Sequence, residues 1–596
     1  MTDEPKRTEE KTDMETDAGG DRSETTALVR EVTRRMRLRP DAVFDVEDPE
    51  RLVPLLPVQE LLFAIQEMGV IDAGDLVALT TSAQVQAFLD LSIWTRDRLD
   101  PEESDDWLAM VLELDDDDFI QKVRGLDPEL LGTILRKYAG VYDPQLQPIP
   151  DLDMAPYVTQ DTFFYLFPLV PEVDPETGKI DPAWDPQGDP RFKTATRLVD
   201  KLYRMEPDLA RNVVMESASS TTSELEELAY RWRSGRLADL GYETYAEALE
   251  ILQFLDPSAL MDRLTAPDPE APPRDPDDPV TLGGVLLEPF VAGSEEAFLS
   301  SCLDTLDPED LDRVTLGFTF LANRIAAATL TQPGDADQMS AALTRARQGL
   351  NLGLEYLNRR NPETASEVFA KVPVSTVFRV GHSLTLQLQR LVGALGRSGR
   401  LSLATRSFTL LDEPWRDLAQ GLTERFPQVT RAFDDMPREG FRPILGLADL
   451  LHATQLVEDL SAQWPLCFLG LKFELDWLTP SGLEGCRPAE PGAVRLGDLF
   501  RTAALSHLLG RGLRVIPMEA ADLERATPAL REKTAALPAW TKELTEEVAR
   551  ILDDRALTPP VRLERILGTW LTPLSTEPLA GLVLRRVASP QPINIP

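Results

Sequence analysis

The feature that most constrains the fold is a helical spacing of apolar side chains that recurs along the chain. Residues at i, i+3, i+4, i+7 and i+10 share one face of a helix. This spacing is met by Val58, Leu61, Leu62, Ile65 and Met68, and again by Tyr245, Ala248, Leu249, Leu252 and Leu255. A similar stripe contains Leu384, Leu388, Leu391, Val392 and Leu395. Helices with one buried face are therefore expected to be the dominant element.

Helix start signals agree with this spacing. Ser223 followed by Glu226, and Thr244 followed by Glu247, are each typical of a capping box and predict helices that begin near residues 224 and 245. Asp-Pro pairs predict further starts, because Asp caps a helix and Pro is tolerated in its first turn. These pairs are Asp48-Pro49, Asp100-Pro101, Asp127-Pro128, Asp256-Pro257 and Asp307-Pro308, with Glu206-Pro207 as a variant.

The prolines of these pairs are separated by 52, 27, 79, 50 and 51 residues, close to multiples of about 26. A unit of that length fits a helix–turn–helix repeat, and a degenerate repeat of stacked helical hairpins is one interpretation. The chain contains 48 prolines, and Asp-Pro is a common helix opener, so chance spacing is the alternative.

Three stretches interrupt the helical pattern. Many prolines between residues 143 and 192 exclude a continuous helix there, and the apolar run Thr162–Val170 predicts one buried strand, with an aromatic docking surface as the alternative. Ala266–Pro279 is acidic, rich in proline and without an apolar face, which is typical of an exposed linker. Thr479–Gly492 is a third, polar break.

These observations predict an all-α fold of several lobes, built of stacked helical hairpins, with a small irregular or β insertion around residues 150–192. A chain of 596 residues exceeds the roughly 250–300 residues of a single core. The expected order is a disordered acidic tail (1–25), an N-terminal helical lobe (26–142), the proline-rich insertion (143–192), a helical segment (193–265), an acidic loop (266–280), a central helical lobe (281–478), a loop (479–492), a C-terminal helical segment (493–587) and a tail (588–596).

Charge and cysteine content limit the classes of partner. The chain has 61 Lys and Arg against 100 Asp and Glu, a net charge of -39 that repels phosphate backbones, so nucleic acid is not an expected partner. Its cysteines, Cys302, Cys467 and Cys486, have no C-x-x-C spacing and predict neither a disulfide framework nor a thiolate zinc site. No signal-peptide core or long apolar stretch is present, so we expect a cytoplasmic protein without a membrane span.

Phosphate-binding and nucleophile motifs are incomplete in the sequence. Gly178-Lys179 lacks both the first Gly of a P-loop and the Ser or Thr that should follow the Lys. Gly381-His382-Ser383 begins like a nucleophile elbow, but Thr385 stands where its second Gly is needed. We therefore interpret this segment as a helix N-terminus and Ser383 as a residue other than a nucleophile.

No set of residues has the spacing of a metal site. His382, His452 and His507 are far apart, and none is followed by a second His at helical ligand spacing. Cys486, beside Arg487, is the only cysteine worth considering as reactive, and we expect no role for it. We assign no catalytic, cofactor-binding or metal-binding residue and expect no cofactor.

Two charged clusters have structural interpretations. Asp115–Asp118 lacks the alternating oxygens and turn Gly of a calcium loop, so it predicts a helix start rather than a cation site. The most positive stretch is expected to pair with the chain's own carboxylates, with docking of a phosphate or an acidic peptide as the alternative. It consists of Arg397, Arg400 and Arg406, with Arg379 and Arg390 upstream.

Some segments resemble known families. The openers at Leu126–Ala139, Leu255–Leu264 and Leu306–Val314 resemble the helical repeats of the cytosolic N-terminal domain of MgtE-type magnesium transporters. That resemblance implies an acidic superhelix and, because the transporter's membrane helices are missing here, no transport. The chain as a whole, including Gly241–Pro257 and Pro373–Leu391, resembles an uncharacterised family of large bacterial proteins of unknown function.

The leading hypothesis is a non-enzymatic α-helical interaction or scaffold protein that binds another protein or peptide, because stacked helices form concave surfaces without catalytic residues. One alternative is an enzyme whose site is assembled from dispersed residues around His382, His452 or Cys486. A deep pocket that holds two of them would favour the enzyme. The other alternative is a regulatory module that responds to divalent cations, which predicts stabilisation by magnesium beyond that given by sodium at matched ionic strength.

Overall fold

The computed structural model describes residues 31–95, 97–150, 156–170, 188–239, 242–260, 297–331, 334–359, 361–398, 408–474 and 478–587, with isolated positions at 25, 28, 29 and 185. The predicted acidic tail apart from Thr25, the linker Ala266–Pro279, the pair Gly178-Lys179 and the tail 588–596 lie outside the described residues.

The chain divides into two compact units. Unit 1 comprises Met1–Gln253, Ala266–Arg347 and Glu363–Thr376, and unit 2 comprises Phe254–Thr265, Gln348–Pro362 and Val377–Pro596. Both units consist mainly of helices with small antiparallel strand pairs, which confirms the predicted all-α class with a small β insertion.

Most helices before residue 398 belong to unit 1, and the helices over 336–357 and 374–397 are divided between the two units. They are α1 (Val58–Met68), α2 (Ser82–Ser92), α3 (Pro101–Glu113), α4 (Asp116–Val123), α5 (Pro128–Tyr138), α6 (Pro190–Met205), α7 (Pro207–Ser219), α8 (Thr222–Asp239), α9 (Ala297–Leu303), α10 (Pro308–Ala328), α11 (Ala336–Leu357), α12 (Ala365–Lys371) and α13 (Val374–Arg397), with short helices at Pro49–Leu52, Gly74–Ala78 and Tyr245–Ala248.

The Asp-Pro and Glu-Pro pairs open helices as predicted. Helices α3, α5, α7 and α10 each begin at the proline, as does the short helix at Pro49. At α10 the Asp307 carboxylate accepts a hydrogen bond from the Asp310 backbone N–H at 2.8 Å, so it satisfies a donor that the helix leaves free.

The capping-box prediction is correct for one helix and two residues late for the other. Thr244 and Glu247 cap the helix at Tyr245 reciprocally, as predicted. Helix α8 begins at Thr222 instead of near 224, because Thr221 and Glu224 form its capping box: the Thr221 N–H donates to Glu224 at 2.9 Å and the Glu224 N–H donates to Thr221 at 3.2 Å. Ser223 already lies in the first turn.

The helical stripe predicted from Tyr245 to Leu255 is wrong beyond Ala248. The α-helix ends there and a 3-10 turn at Leu249–Leu252 follows. The chain then leaves the helical path, and the Leu255 backbone N–H donates to the Ser383 hydroxyl at 2.8 Å. A tertiary hydrogen bond thus replaces the intrahelical bond that the spacing predicted.

The aromatic run in unit 1 forms the predicted buried strand. Strands β1 (Trp94–Thr95) and β2 (Arg98–Leu99) form one antiparallel pair, and β3 (Ala139–Tyr142), β4 (Tyr157–Val158) and β5 (Tyr165–Pro168) form a sheet in the order β3-β5-β4. Strand β5 is central, with Gly140 opposite Phe167. Leu166 and Phe167 of the strand are buried, whereas Phe163, Leu169 and Val170 of the same run are exposed on either side of it.

Unit 2 has its own apolar core around Trp415, Phe500 and Trp570. Its further helices are α14 (Trp415–Thr423), α15 (Leu447–Pro465), α16 (Leu496–Leu508), α17 (Ala520–Ala535), α18 (Leu537–Asp553) and α19 (Leu563–Leu571), with short helices at Pro573–Thr576 and Leu579–Leu582. Its strands are β6 (Gln428–Thr430), β7 (Phe441–Pro443), β8 (Cys486–Arg487) and β9 (Arg585–Arg586), paired β6-β7 and β8-β9.

Helices α11 and α13 meet backbone to backbone within unit 2. A Cβ atom on Gly381 would overlap the carbonyl oxygen of Gly349, and a Cβ on Gly353 would overlap the carbonyl oxygen of Val377. Only glycine allows this approach. The Gly-His-Ser segment therefore lies inside α13 at a close helix crossing, and the interpretation of it as a helix N-terminus is wrong.

A buried ion cluster ties α16 to the end of unit 2. The Arg501 Nη2 atom lies 3.0 Å from Asp412 and 2.6 Å from Asp498. Its Nε and Nη1 atoms donate to the carbonyl oxygens of Leu582 at 2.9 Å and Trp570 at 2.8 Å. The Arg501 residue is 2% exposed, so its charge and its donors are satisfied entirely inside the protein.

Candidate binding pocket at the β6–β7 hairpin

The structure buries most of the residues that the dispersed-enzyme hypothesis needs. His382 is 5% exposed, with ring centroids 5.8 Å from Phe378 and 5.5 Å from Phe426, and burial lowers the pKa of its imidazole to about 4. Cys486 is buried in β8, and burial raises the pKa of its thiol. Cys302 and Cys467 are buried too. A buried neutral imidazole and a buried thiol are poor catalysts.

The acidic run has the structure that the sequence predicts. Asp115 precedes α4, and its carboxylate accepts a hydrogen bond from the Asp118 backbone N–H at 2.9 Å.

Within the ranges that the structure describes, no group of His, Cys, Asp or Glu side chains is arranged to hold a metal ion. None of the helices in those ranges is both long and apolar enough to cross a bilayer.

The arginines of α13 do not form the expected ion pairs. Arg379, Arg390 and Arg397 have no carboxylate partner among the described residues, and Arg400 and Arg406 lie outside them. The Arg390 guanidinium instead lies 3.8 Å from the centre of the Phe254 ring. For the exposed Arg390, this contact with an aromatic ring is the interaction that the structure shows in place of an ion pair.

An open pocket of about 450 Å³ lies on the β6–β7 hairpin of unit 2. The strands pair with Val429 opposite Arg442, and the Arg431 N–H donates to the Gly440 carbonyl at 2.9 Å to close the connecting loop. Gly440 has a φ of 94°, a conformation that favours glycine. The polar lining consists of Arg431, Asp434, Asp435, Arg438, Arg442 and His452, and the apolar lining of Phe433 and Met436.

The inner wall of the pocket is held by Arg442 and Phe433. Arg442 donates from Nε to Asp434 at 2.8 Å and from Nη1 to Asp449 at 2.9 Å. Burial lowers the pKa of Arg442, but the hydrogen bonds and charges of these two carboxylates outweigh it and leave the pKa raised. The Phe433 ring lies 4.5 Å from the Trp415 ring, centre to centre, so the wall is attached to the core of unit 2.

The outer rim presents two arginines without carboxylate partners. Arg431 donates from Nε to the Phe441 carbonyl at 3.3 Å, and Arg438 is exposed; neither side chain forms an ion pair with any described residue. The Arg438 backbone N–H donates to the Arg431 carbonyl at 3.3 Å, so both side chains start from adjacent points of the loop. Most donor sites of these guanidinium groups are therefore available to a ligand.

An exposed apolar side chain accompanies this rim. Met436 on the loop is 71% exposed. Among His382, His452 and Cys486, only His452 lines the pocket, and no hydrogen bond within the described ranges joins any two of the three. The pocket therefore combines cationic and apolar contacts but lacks the pair of residues that would favour an enzyme.

A smaller pocket of about 150 Å³ lies in unit 1, lined by Leu99, Ser104, Ile134, Lys137, Tyr138 and Arg191. Its charged groups are occupied by the protein itself. Lys137 lies 2.7 Å from Glu226, Arg191 lies 3.4 Å from Asp105, and the Tyr138 hydroxyl donates to Asp105. It is less suited to a charged ligand than the hairpin pocket, where two arginines are unpaired.

Reasoning from the sequence missed the hairpin pocket. The sequence pattern that could have predicted the hairpin is a pair of short β-prone runs on either side of a polar loop. This loop contains Pro437 and Gly440, and arginines lie on both sides of it. The most positive linear stretch drew attention instead to α13.

One comparison with known proteins identifies the family. The model of the family described as "Family of unknown function (DUF6178)" matches residues 21–577, so the chain belongs to this family, as its resemblance to an uncharacterised family indicated. No curated protein and no solved structure matches the chain. This match does not include the MgtE-type repeats, so the similarity of the Leu-Asp-Pro segments to those repeats has no support beyond the sequence segments themselves.

Proposed function

We propose that this member of a family of unknown function is a non-enzymatic α-helical interaction protein, and that its hairpin pocket binds a peptide segment of another protein. The observation that carries the proposal is the pair Arg431 and Arg438, whose side chains share a pocket and have no carboxylate partner among the described residues. Arginine beside apolar side chains is the composition typical of the centre of protein interfaces.

The overall charge of the chain strengthens this argument. With 100 acidic against 61 basic residues, a surface arginine has many carboxylates with which it could pair. Arg442 in the same pocket does so twice, with Asp434 and Asp449. Arg431 and Arg438 differ from Arg442 in that they share the pocket without a carboxylate partner among the described residues, so both can bind an outside anion there.

Binding is favoured over catalysis by the positions of the titratable groups. General acid–base chemistry needs groups that reach the substrate. His382 and Cys486 are buried, which leaves His452 as the candidate on the described pocket surface. An open pocket with one imidazole and two unpaired guanidinium groups is better suited to holding a charged segment than to a multi-step reaction.

Photocrosslinking in the native host tests the proposal. A photoreactive phenylalanine analogue replaces Met436 on the pocket rim, and in a control chain it replaces Val561, which is 91% exposed elsewhere in unit 2. Each chain is examined with and without Arg431→Ser/Arg438→Ser. A second control pair, Arg514→Ser/Arg531→Ser, removes the same charge from exposed arginines outside the pocket.

We expect an adduct with one protein of defined mass from position 436 and none from position 561. That adduct should disappear in Arg431→Ser/Arg438→Ser and persist in Arg514→Ser/Arg531→Ser. The proposal is contradicted if position 436 gives no protein adduct, or if its adduct survives the loss of both pocket arginines.

A further inference from the structure

We infer that the segment bound at the hairpin pocket presents a carboxylate next to an apolar side chain, so that the partner class is an acidic, partly apolar peptide. This inference rests on the proposed function and adds the chemistry of the ligand. It follows from three properties of the pocket: the adjacency of two arginines, the small excess of positive charge, and the exposed apolar side chain of Met436 at the rim.

The two unpaired arginines are placed to bind one anion together. Their backbones are joined by the 3.3 Å hydrogen bond from the Arg438 N–H to the Arg431 carbonyl, and both side chains line the same pocket. The Nε atom of Arg431 is held by the Phe441 carbonyl at 3.3 Å, which leaves its terminal nitrogens as donors. Guanidinium groups bind oxyanions through paired N–H groups, so one carboxylate can be held from two sides.

The charge of the lining favours a carboxylate over a phosphate. Three arginines (+3) and two aspartates (-2) line the pocket, so its arginines exceed its carboxylates by one. Asp449 lies directly behind Arg442, 2.9 Å from its Nη1 atom. A phosphate group carries about two negative charges near pH 7 and would face Asp434 and Asp435 without enough positive charge to offset them. A single carboxylate brings half that negative charge and is therefore the better match.

The rim supplies an apolar surface beside the arginines. Met436 is exposed on the same loop between Asp435 and Arg438, and the Phe433 ring lines the pocket floor against Trp415. An unbranched methionine adapts to ligands of different shape and is common on peptide-binding surfaces. An aliphatic or aromatic residue adjacent to the bound carboxylate would bury Met436, which is otherwise in contact with water.

Selection from a random library of 12-residue peptides on the full chain tests the inference. Peptides that bind the immobilised wild type are counter-selected on Arg431→Ser/Arg438→Ser, so that only pocket-dependent sequences remain. The strongest peptide is then synthesised in three forms: unchanged, with each Asp and Glu replaced by Asn and Gln, and with the central acidic residue replaced by phosphoserine. Affinities are measured on the wild type, on the double variant and on the Arg514→Ser/Arg531→Ser control.

We expect the pocket-dependent peptides to carry Asp or Glu beside Leu, Ile, Met or Phe. The amide form should bind the wild type at least about tenfold more weakly, as the loss of a charge-assisted hydrogen bond predicts, while the double variant should scarcely distinguish the two forms. The phosphoserine form should bind no more tightly than the unchanged peptide.

The outcomes separate the inference from the proposed function. Pocket-dependent peptides that are neutral or basic would overturn the acidic ligand and leave a peptide-binding protein. A phosphoserine form that binds about tenfold more tightly would assign the pocket to phosphate instead. If no peptide distinguishes the wild type from Arg431→Ser/Arg438→Ser, the pocket is not a peptide site and the proposed function fails with the inference.

Discussion

Unit 2 contains two groups of arginine and aspartate side chains that have opposite surroundings. Arg501 is 2% exposed and lies between Asp412 and Asp498, while its other nitrogens donate to two backbone carbonyls. At the hairpin, Arg431 and Arg438 face an open pocket without a carboxylate partner among the described residues. The same residue types thus form a buried, fully paired group around Arg501, called here the closed group, and a solvent-facing group at Arg431 and Arg438, called the open group.

This contrast separates residues that hold the fold from residues available for binding. A buried arginine must be fully satisfied, because an unpaired charge in the interior is strongly destabilising. An exposed arginine loses little when it is unpaired, since water solvates it. Replacing residues in the closed group should therefore change the free energy of unfolding, and replacing those in the open group should change binding alone.

The largest effect is expected from Arg501→Met. The replacement removes the arginine that pairs with the buried carboxylates of Asp412 and Asp498, and the carbonyls of Trp570 and Leu582 lose their donors. We expect the free energy of unfolding to fall by about 3–5 kcal/mol. Chemical denaturation of the full chain measures it, and a loss under about 1 kcal/mol would contradict the view that this cluster holds unit 2 together.

His382 should make the stability of the wild type depend on pH. Burial lowers its pKa in the folded state from 6.5 to about 4, so the unfolded chain binds its proton more readily in that range. The contribution of His382 is therefore present above pH 6.5 and is lost as the pH falls toward 4, by up to about 3 kcal/mol. Denaturation of the wild type and of His382→Gln at several pH values measures the contribution of His382 to the free energy of unfolding. His507→Gln is the control, and an equal pH dependence in both variants would refute the expectation.

The helix crossing should tolerate no side chain at Gly381. In Gly381→Ala the new methyl group meets the backbone of α11 at Gly349, and we expect a loss of about 1–3 kcal/mol in the free energy of unfolding. Gly393, on the same helix α13, has only the flexible end of Arg397 near its added Cβ. Gly393→Ala should therefore be neutral or more stable by up to about 1 kcal/mol. Equal effects at both positions would mean that the helices are not in close contact.

The smallest effect on stability is expected at the open pocket. Arg431→Ser/Arg438→Ser removes no described ion pair, so the free energy of unfolding should change by no more than about 0.5 kcal/mol. The same change should abolish pocket-dependent crosslinking. A loss of stability comparable to that of Arg501→Met would show that these arginines hold the hairpin rather than a ligand.

Local signals in the sequence predicted many helix starts because the atoms that form them are close in the chain. Asp307 and Asp310 complete a cap within three residues. The error at α8 has the same origin: Thr221, Thr222 and Ser223 are consecutive and Glu224 and Glu226 both follow, so spacing alone does not identify the pair that caps the helix.

The candidate site could not be predicted in the same way, because it depends on tertiary register. Arg431 and Arg438 become neighbours only when β6 pairs with β7, and His452 joins them only when α15 packs beside the hairpin. The role of Gly381 likewise requires Gly349 on a separate helix. Composition gave an excess of carboxylates, but it could not identify the arginines that would remain unpaired.

The most direct test of the binding account is hydrogen exchange of the full chain with and without the strongest pocket-dependent peptide. We predict slower amide exchange in residues 428–443 and no change in α16, with the protection absent in Arg431→Ser/Arg438→Ser. Protection that appears elsewhere but not in the hairpin, or that persists in the double variant, would contradict the assignment of the open pocket as the binding site.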